Sequence, residues 1–174
     1  MKYFGKVATG RDKFLIILAT VLLSLWLVVL FGGIKERQAT NNLAAATNRC
    51  RTSDHILDLK GKIFVASMTT DATREKGLSG HAPLASDEGM LFVFDGPAQQ
   101  NFWMKEMLFP IDMIWLDSNM RVVGAAERAT PESYPTIFSS PSSTKYVLEV
   151  PAGEYAARSL MLGDQATLAD CATQ

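Results

Sequence analysis

Five residues with polar, charged or aromatic side chains lie inside or beside apolar runs of the sequence, where burial of a charge would cost free energy. They are Arg74, Trp103, Lys105, Asp112 and Glu149. A carboxylate or ammonium group that is removed from water needs a partner of opposite charge or a ligand. An aromatic side chain beside such groups is typical of sites for small polar molecules or sugars. These residues are therefore our candidate ligand-binding set.

Other uses of the same charges remain open. Asp112 could pair with Lys105 or Arg74 in a buried ion pair, or it could cap the turn after Pro110. Asp112 and Glu149 could also act as the acid and base of a hydrolase that cleaves envelope glycan, if their separation allowed it. We assign no catalytic residue, and the sequence leans away from an enzyme because it contains no recognised catalytic motif.

Metal and cofactor binding are not predicted. Met90, Met104, Met107 and Met113 could together suggest a soft copper site, but methionine is an ordinary filler of hydrophobic cores. The chain has two histidines, and neither has a Cys or second His at ligand spacing, so no zinc site is expected. No cofactor is predicted.

Short strands position these residues. The regions 55–59, 62–69, 89–94, 102–107, 111–116, 121–126, 145–150 and 165–168 have strand character, and a hairpin turn is predicted at 117–120. A short helix is expected from about Asp71 to Gly77 or Gly80, and a second from Pro151 to Gly163. Strand alternation places Asp112 with Ile114 and Leu116, and places Glu149 with Val147.

The fold class that follows is α+β. We predict a compact antiparallel sheet, barrel-like or strongly curled, with two short helices and one preceding transmembrane helix. Residues 129–144 are rich in Pro and Ser, so they are expected to form a long surface loop.

The N-terminal region is organised as a membrane anchor. Phe14 to Ile34 carries no charge, and a helix of this length matches a hydrocarbon core about 30 Å thick. We predict a basic cytoplasmic N-terminus (1–13), an uncleaved transmembrane signal anchor (14–34), an extracytoplasmic linker (35–54) and a folded domain (55–171). Basic residues at 2, 6, 11 and 13 favour a cytoplasmic N-terminus, which places the domain outside.

Charge also limits the partners. The chain has 17 basic and 18 acidic side chains, and the part beyond residue 34 is net acidic without a basic run. Nucleic acid is therefore not an expected partner. The membrane, through residues 14–34, and a small polar or carbohydrate ligand are the expected ones.

Cys50 and Cys171 flank the predicted domain. In an oxidising compartment they would be able to pair, and a bridge between them would join the two ends of the domain. Two free thiols are the alternative. We predict the disulfide.

Seven short motifs together resemble one known family, the domain of unknown function 192. They are Arg74-Glu75-Lys76-Gly77-Leu78, Gly89-Met90-Leu91-Phe92-Val93-Phe94, Phe102-Trp103-Met104-Lys105, Pro110-Ile111-Asp112-Met113-Ile114, Val122-Val123, Tyr146-Val147-Leu148-Glu149 with Gly153, and Gly163-Asp164. The resemblance extends from Ile63 to Leu168. It implies a compact, mostly β domain, often exported or anchored, with no established activity.

The resemblance also implies that Arg74, Lys105, Asp112 and Glu149, with Trp103 beside them, are the family's characteristic polar positions. This chain departs from the pattern after Lys105, where Glu106-Met107 replace the usual Asn-Thr. Ser79 and His81 also stand where Met and Arg are usual. The function we expect is a membrane-anchored, extracytoplasmic binding or accessory module, with an envelope hydrolase or a structural interaction module as alternatives.

Overall fold

The computed structural model describes residues 54–171, together with Cys50 and two helical residues, Leu23 and Trp26. The strands are β1 (His55–Asp58), β2 (Lys62–Met68), β3 (Glu88–Ala98), β4 (Asn101–Phe102), β5 (Ile111–Leu116), β6 (Val122–Ala129), β7 (Phe138–Ser139), β8 (Thr144–Pro151) and β9 (Thr167–Asp170). The helices are α1 (Asp71–Lys76) and α2 (Glu154–Ala157), with a 3-10 turn at Pro131–Ser133.

Seven of these strands form one sheet, in the order β6-β5-β8-β3-β2-β1-β9, and β4 pairs with β7 separately. Most neighbours are antiparallel, including the predicted β5–β6 hairpin. The pair β2–β3 is parallel, with Ala66 opposite Met90, so the prediction of an antiparallel sheet was wrong for this pair. Parallel neighbours need a crossover connection, which α1 and the following turn supply here.

The sheet is open, so the barrel-like part of the prediction was wrong as well. Its edge strands, β6 and β9, are not paired with each other. Backbone hydrogen bonds nevertheless link the start of β6 to the segment before β9: Val122 N donates to Asp164 O at 2.9 Å, and Ala166 N donates to Met120 O at 2.9 Å. The two edges approach at one end without forming a ladder.

Apolar side chains cover both faces of the sheet and form two cores. The aliphatic core, which also packs against Tyr155 of α2, contains Leu57, Leu59, Ile63, Val65, Leu91, Ile114, Leu116, Val122, Leu148, Val150, Leu160 and Ala166. The methionine core contains Leu78, Met90, Phe92, Met104, Met107, Phe109, Ile111, Met113, Trp115, Ala129 and Val147. Successive side chains of a strand point to opposite faces, which explains why neighbours in β5 and β8 belong to different cores.

Two local predictions were wrong. The expected strand 102–107 ends at Phe102, and residues 103–110 are irregular. The expected helix 151–163 is reduced to Glu154–Ala157, preceded by Gly153 in a left-handed conformation. The predicted pair within it does form, with Arg158 Nε donating to Glu154 Oε2 at 3.0 Å.

The predicted membrane anchor, residues 14–34, lies outside the described residues except for Leu23 and Trp26, as do residues 1–13 and nearly all of the predicted linker. Within the part of the chain that is described, no helix has the length and apolar character needed to cross a membrane.

Cys50 and Cys171 form a disulfide, so the predicted pairing is confirmed. It encloses a sequence separation of 121 residues. The Cα atoms are 5.4 Å apart, within the ordinary range for a bridged pair. The bond therefore joins the chain just before β1 to the end of β9.

Removal of this bond is expected to destabilise the domain. For a loop of this length the chain-entropy model gives a loss of about 4–5 kcal/mol in the free energy of unfolding. Urea denaturation of the full chain should show a lower midpoint for the double variant Cys50→Ala/Cys171→Ala. Reduced wild-type protein is the matched control and should unfold at the same midpoint as the variant. A midpoint equal to that of the oxidised protein would contradict the role assigned to the bond.

Candidate functional site

A cavity of about 260 Å³ lies on the methionine-core side of the sheet. Its walls come from α1 and the turn after it, from β3, from residues 100–107 and from β8. The lining residues are Arg74, Glu75, Lys76, Gly77, Leu78, Ser79, Phe92, Phe94, Gln100, Asn101, Phe102, Trp103, Met107 and Glu149. Six of these side chains are apolar, four of them aromatic, and seven are polar or charged, a mixture that suits a small polar molecule.

Glu149 is the acid of this cavity. It lies in the middle of β8, directly between Met90 of β3 and Met113 of β5. Its side chain is almost wholly buried, with 4% of the residue exposed. Burial raises the pKa of the Glu149 carboxyl to about 8, because a charged carboxylate is poorly solvated in such surroundings. The group is therefore mostly protonated at neutral pH.

The carboxyl group of Glu149 is incompletely satisfied. Its Oε2 has no hydrogen-bond partner among the described residues. Trp115 Nε1 and Thr144 Oγ1 share this property there, but neither residue lines the cavity. A buried polar atom without a partner costs about 1–3 kcal/mol, so the Glu149 carboxyl carries a cost that a hydrogen bond would remove.

Aromatic rings form one wall of the cavity. Phe102 makes edge-to-face contacts with both Phe92 and Phe94, with ring centroids 5.0 and 6.4 Å apart. Trp103 follows at the rim and is 46% exposed. An exposed indole beside a cavity offers a large contact area to a ligand, since tryptophan combines an apolar ring with one N–H donor.

Arg74 supports the wall formed by α1. Its Nη1 donates to the carbonyl oxygens of Thr69 and Val93, both at 2.7 Å. Its Nη2 pairs with Asp71, and the guanidinium lies 5.1 Å from the centroid of the Phe94 ring. These bonds fix α1 against β3. Arg74 lines the cavity, but several of its N–H groups already donate to other protein atoms.

Local sequence sets the start and end of α1. Thr70 caps the helix and exchanges hydrogen bonds with Thr73 in a capping box. Gly77 ends it at a φ of 46°, a region that favours glycine. A Cβ at this position would also lie 3.1 Å from Phe92 Cζ, so the glycine allows the helix to approach the aromatic wall.

Lys105 lies beside the cavity but does not line it. It is exposed and borders a second depression of about 370 Å³, which shares Trp103, Glu75, Lys76 and Ser79 with the first. The Ser79 hydroxyl donates to the Lys105 carbonyl at 2.9 Å, which holds residues 103–107 near the turn after α1.

Glu106 has a φ of 58°. Asn tolerates this left-handed region better than Glu does. The Asn that the family resemblance implies here would therefore have a backbone role.

Asp112 lies on the opposite face of the sheet. It stands opposite Val150 in the β5–β8 ladder, whereas the next residue, Met113, stands opposite Glu149. Asp112 is fully buried. Its carboxylate accepts three backbone N–H groups, from Arg128 at 2.7 Å, Gly153 at 2.9 Å and Tyr155 at 2.8 Å. Within the described residues no ion pair joins Asp112 to Lys105 or Arg74.

Comparison with known proteins identifies the domain. A family model described as "Uncharacterized ACR", the domain of unknown function 192 (DUF192), matches residues 55–168. The chain belongs to the DUF192 family. The match confirms the domain that the seven sequence motifs predicted.

Two crystal structures resemble this DUF192 domain. One is a protein of unknown function from Novosphingobium aromaticivorans DSM 12444, with 27% identity and a TM-score of 0.60, covering 66% of this chain and 83% of that one. The other is a proposed transcription regulator from Sinorhizobium meliloti 1021, with 28% identity and a TM-score of 0.61, covering 66% of this chain and 95% of that one. No curated protein matches the chain.

The DUF192 fold thus brings together three of the five predicted site residues. Arg74, Trp103 and Glu149 line one cavity, Lys105 borders the adjoining depression, and Asp112 is on the other face. Sequence reasoning missed the aromatic wall. The i, i+2 spacing of Phe92 and Phe94 in a predicted strand was an available signal, since such residues share a face.

Proposed function

We propose that this protein is a binding module for a small polar ligand, about the size of a sugar, which binds in the cavity between α1 and β3. The single observation that carries the proposal is Glu149, a buried acid with an unsatisfied oxygen that lines a cavity with aromatic walls. Burial alone gives no reason to place an acid in the wall of a cavity, because an apolar residue there would cost less.

The geometry does not favour the hydrolase alternative. A glycosidase of this kind needs two carboxyl groups on either side of one bond, about 5–10 Å apart and facing the same substrate. Asp112 and Glu149 belong to opposite faces of the sheet, and Asp112 is engaged by three backbone N–H groups. That pair therefore offers no shared substrate position.

We further propose that the domain is extracytoplasmic and anchored by residues 14–34. The uncharged stretch and its basic flank support this orientation. The Cys50–Cys171 disulfide supports it as well, because such bonds persist in oxidising compartments. Alkylation of thiols before cell lysis is the check: two reactive cysteines in the cell-derived protein would contradict this location.

The two similar crystal structures do not indicate a ligand. The description of the Sinorhizobium protein as a transcription regulator applies to that protein. The acidic balance of this chain beyond residue 34 gives no support to DNA binding here.

Trp103→Ala is expected to weaken ligand binding at least about tenfold, because the exposed indole supplies contact area at the rim. The measurement is a thermal-shift screen of the full chain in detergent against sugars and small polar compounds, followed by calorimetric titration of any ligand found. Leu108→Ala is the matched control, because Leu108 is an exposed apolar residue of the same segment that does not line the cavity.

Two results would count against the proposal. Equal effects of the Trp103 and Leu108 substitutions on affinity would place the ligand elsewhere. No ligand-dependent shift across the screen would instead favour the interaction module that has no small-molecule site.

A further inference from the structure

The cavity offers an uneven set of polar groups to a ligand. The wall formed by β3 and β8 carries one buried acid, Glu149, between two methionines and near Phe92. Most of the other polar lining residues, including Glu75 and Lys76, lie on α1 or in the segment around residue 100, and these two are exposed. The side chains next to Glu149 on the sheet are therefore apolar, whereas the other polar lining residues lie on α1, in the turn after it and around residue 100.

Charges from the surrounding elements do not neutralise Glu149. β3 and β5 present Met90 and Met113 beside it, and α1 contributes Arg74, Glu75 and Lys76 to the cavity lining. The guanidinium of Arg74 is paired with Asp71 and two carbonyl groups. Burial is the cause of the raised pKa of Glu149, with no opposing contribution from a neighbouring base.

We propose that the cavity binds a small organic amine as its ammonium ion, with the ammonium N–H donating to Glu149 and the apolar body against Phe92, Phe102 and Trp103. This inference rests on the proposed function, that the cavity is a ligand site, and names the chemical class that it selects. The ammonium supplies an N–H donor to the Glu149 oxygen that has no partner, and a positive charge that balances the carboxylate formed on binding.

An amine fits this arrangement better than a sugar does. A sugar brings several hydroxyl groups that each need a partner when buried, because an unmade hydrogen bond is costly. The wall formed by β3 and β8 provides one acid among apolar side chains. An amine with a hydrocarbon body has a single polar end, and cations are also attracted to the faces of aromatic rings.

Binding of an ammonium ion would change the protonation of Glu149. The free carboxyl group is mostly protonated at pH 7, since its pKa is about 8. A cation next to it favours the carboxylate, so the Glu149 proton leaves to solvent as the ammonium binds. The ligand keeps its own proton, and the complex is an ion pair. Close to one proton should therefore be released for each amine bound.

The experiment is calorimetric titration of the full chain at pH 7, in two buffers of different ionisation enthalpy. The probe is benzylammonium, and its neutral counterpart of the same shape is benzyl alcohol; N-acetylglucosamine serves as the sugar. Glu149→Gln keeps the size of the side chain but cannot ionise. Glu127→Gln is the matched control, because Glu127 is an exposed acid of β6 that does not line the cavity.

The expected result is binding of benzylammonium with release of most of one proton per ligand, because a carboxyl group with a pKa of about 8 is mostly protonated at pH 7. Glu149→Gln should weaken that binding about 30-fold or more and abolish proton release, whereas Glu127→Gln should change affinity less than about threefold.

Three outcomes would overturn the inference in different ways. Equal or tighter binding of benzyl alcohol or the sugar, without proton release, would exclude the amine and leave the cavity as a ligand site. Amine binding that survives Glu149→Gln would also exclude it. Failure of every probe, together with no shift in the wider screen, would remove the proposed function as well. Thermal unfolding of both variants verifies that they are folded.

Discussion

The Glu149→Gln variant is expected to gain stability over the wild type as the pH rises from about 4.5 to 8. The pKa of Glu149 is raised from 4.5 to about 8 in the folded protein. Below pH 4.5 the carboxyl group is protonated in both the folded and unfolded states, so it adds no pH dependence. Above that pH the unfolded chain loses the proton while the folded chain keeps it, which favours unfolding.

This penalty grows by about 1.4 kcal/mol per pH unit and levels off above pH 8, so it is on the order of 3 kcal/mol at pH 7. Glutamine does not titrate, so the variant lacks the penalty. The measurement is the free energy of unfolding in urea for both proteins at several pH values. Glu75→Gln, with an exposed carboxyl group, should follow the wild type. A constant difference between Glu149→Gln and wild type across this range would show that Glu149 titrates normally.

Asp112→Ala is expected to destabilise the domain by at least about 3 kcal/mol in the free energy of unfolding. The substitution leaves three buried backbone N–H groups without their acceptor, those of Arg128, Gly153 and Tyr155. It also frees the start of α2 from β5, because Gly153 and Tyr155 lie at the N-terminal end of that helix. Denaturation in urea at pH 7 measures the loss.

Asp117→Ala is the matched control for Asp112. The carboxylate of Asp117 also accepts two backbone N–H groups, from Asn119 at 2.8 Å and Arg121 at 2.9 Å, but in an exposed turn. Water can replace those bonds, so the expected loss is about 1 kcal/mol. If the two substitutions cost the same, burial of Asp112 would not be what makes its carboxylate important. Ligand affinity in a surviving Asp112 variant should be unchanged, since Asp112 lies on the face away from the cavity.

These two carboxyl groups show how differently the fold uses chemically similar residues. Both come from apolar strands, and both are nearly or fully buried. Asp112 meets three donors from the backbone, which satisfy a charged acceptor. Glu149 meets methionine side chains and a cavity, which favour the neutral acid. The position of each residue in the sheet decides whether its carboxyl group is held by the backbone or can contact a ligand.

The sequence by itself determined much of this outcome. Alternation of apolar and polar residues placed Asp112 with Ile114 and Leu116, and Glu149 with Val147, and the sheet has both arrangements. Turn residues at 117–120 predicted the β5–β6 hairpin. The motifs from Ile63 to Leu168 identified the family. All of these depend on local patterns, which a single strand or turn carries within its own residues.

Only the tertiary structure decided which of the candidate residues share a site. β8 lies between β3 and β5, although residues far apart in sequence form those strands, and alternation along one strand does not specify its neighbours. The segment after Phe102 was predicted as a strand, yet it turns away to form the rim, where Trp103 faces the cavity and Lys105 faces solvent. Asp112 found its partners in Arg128, Gly153 and Tyr155 through contacts of long sequence separation. Charge and hydrophobicity identified the residues that needed partners, whereas strand order and backbone packing determined which partners they received.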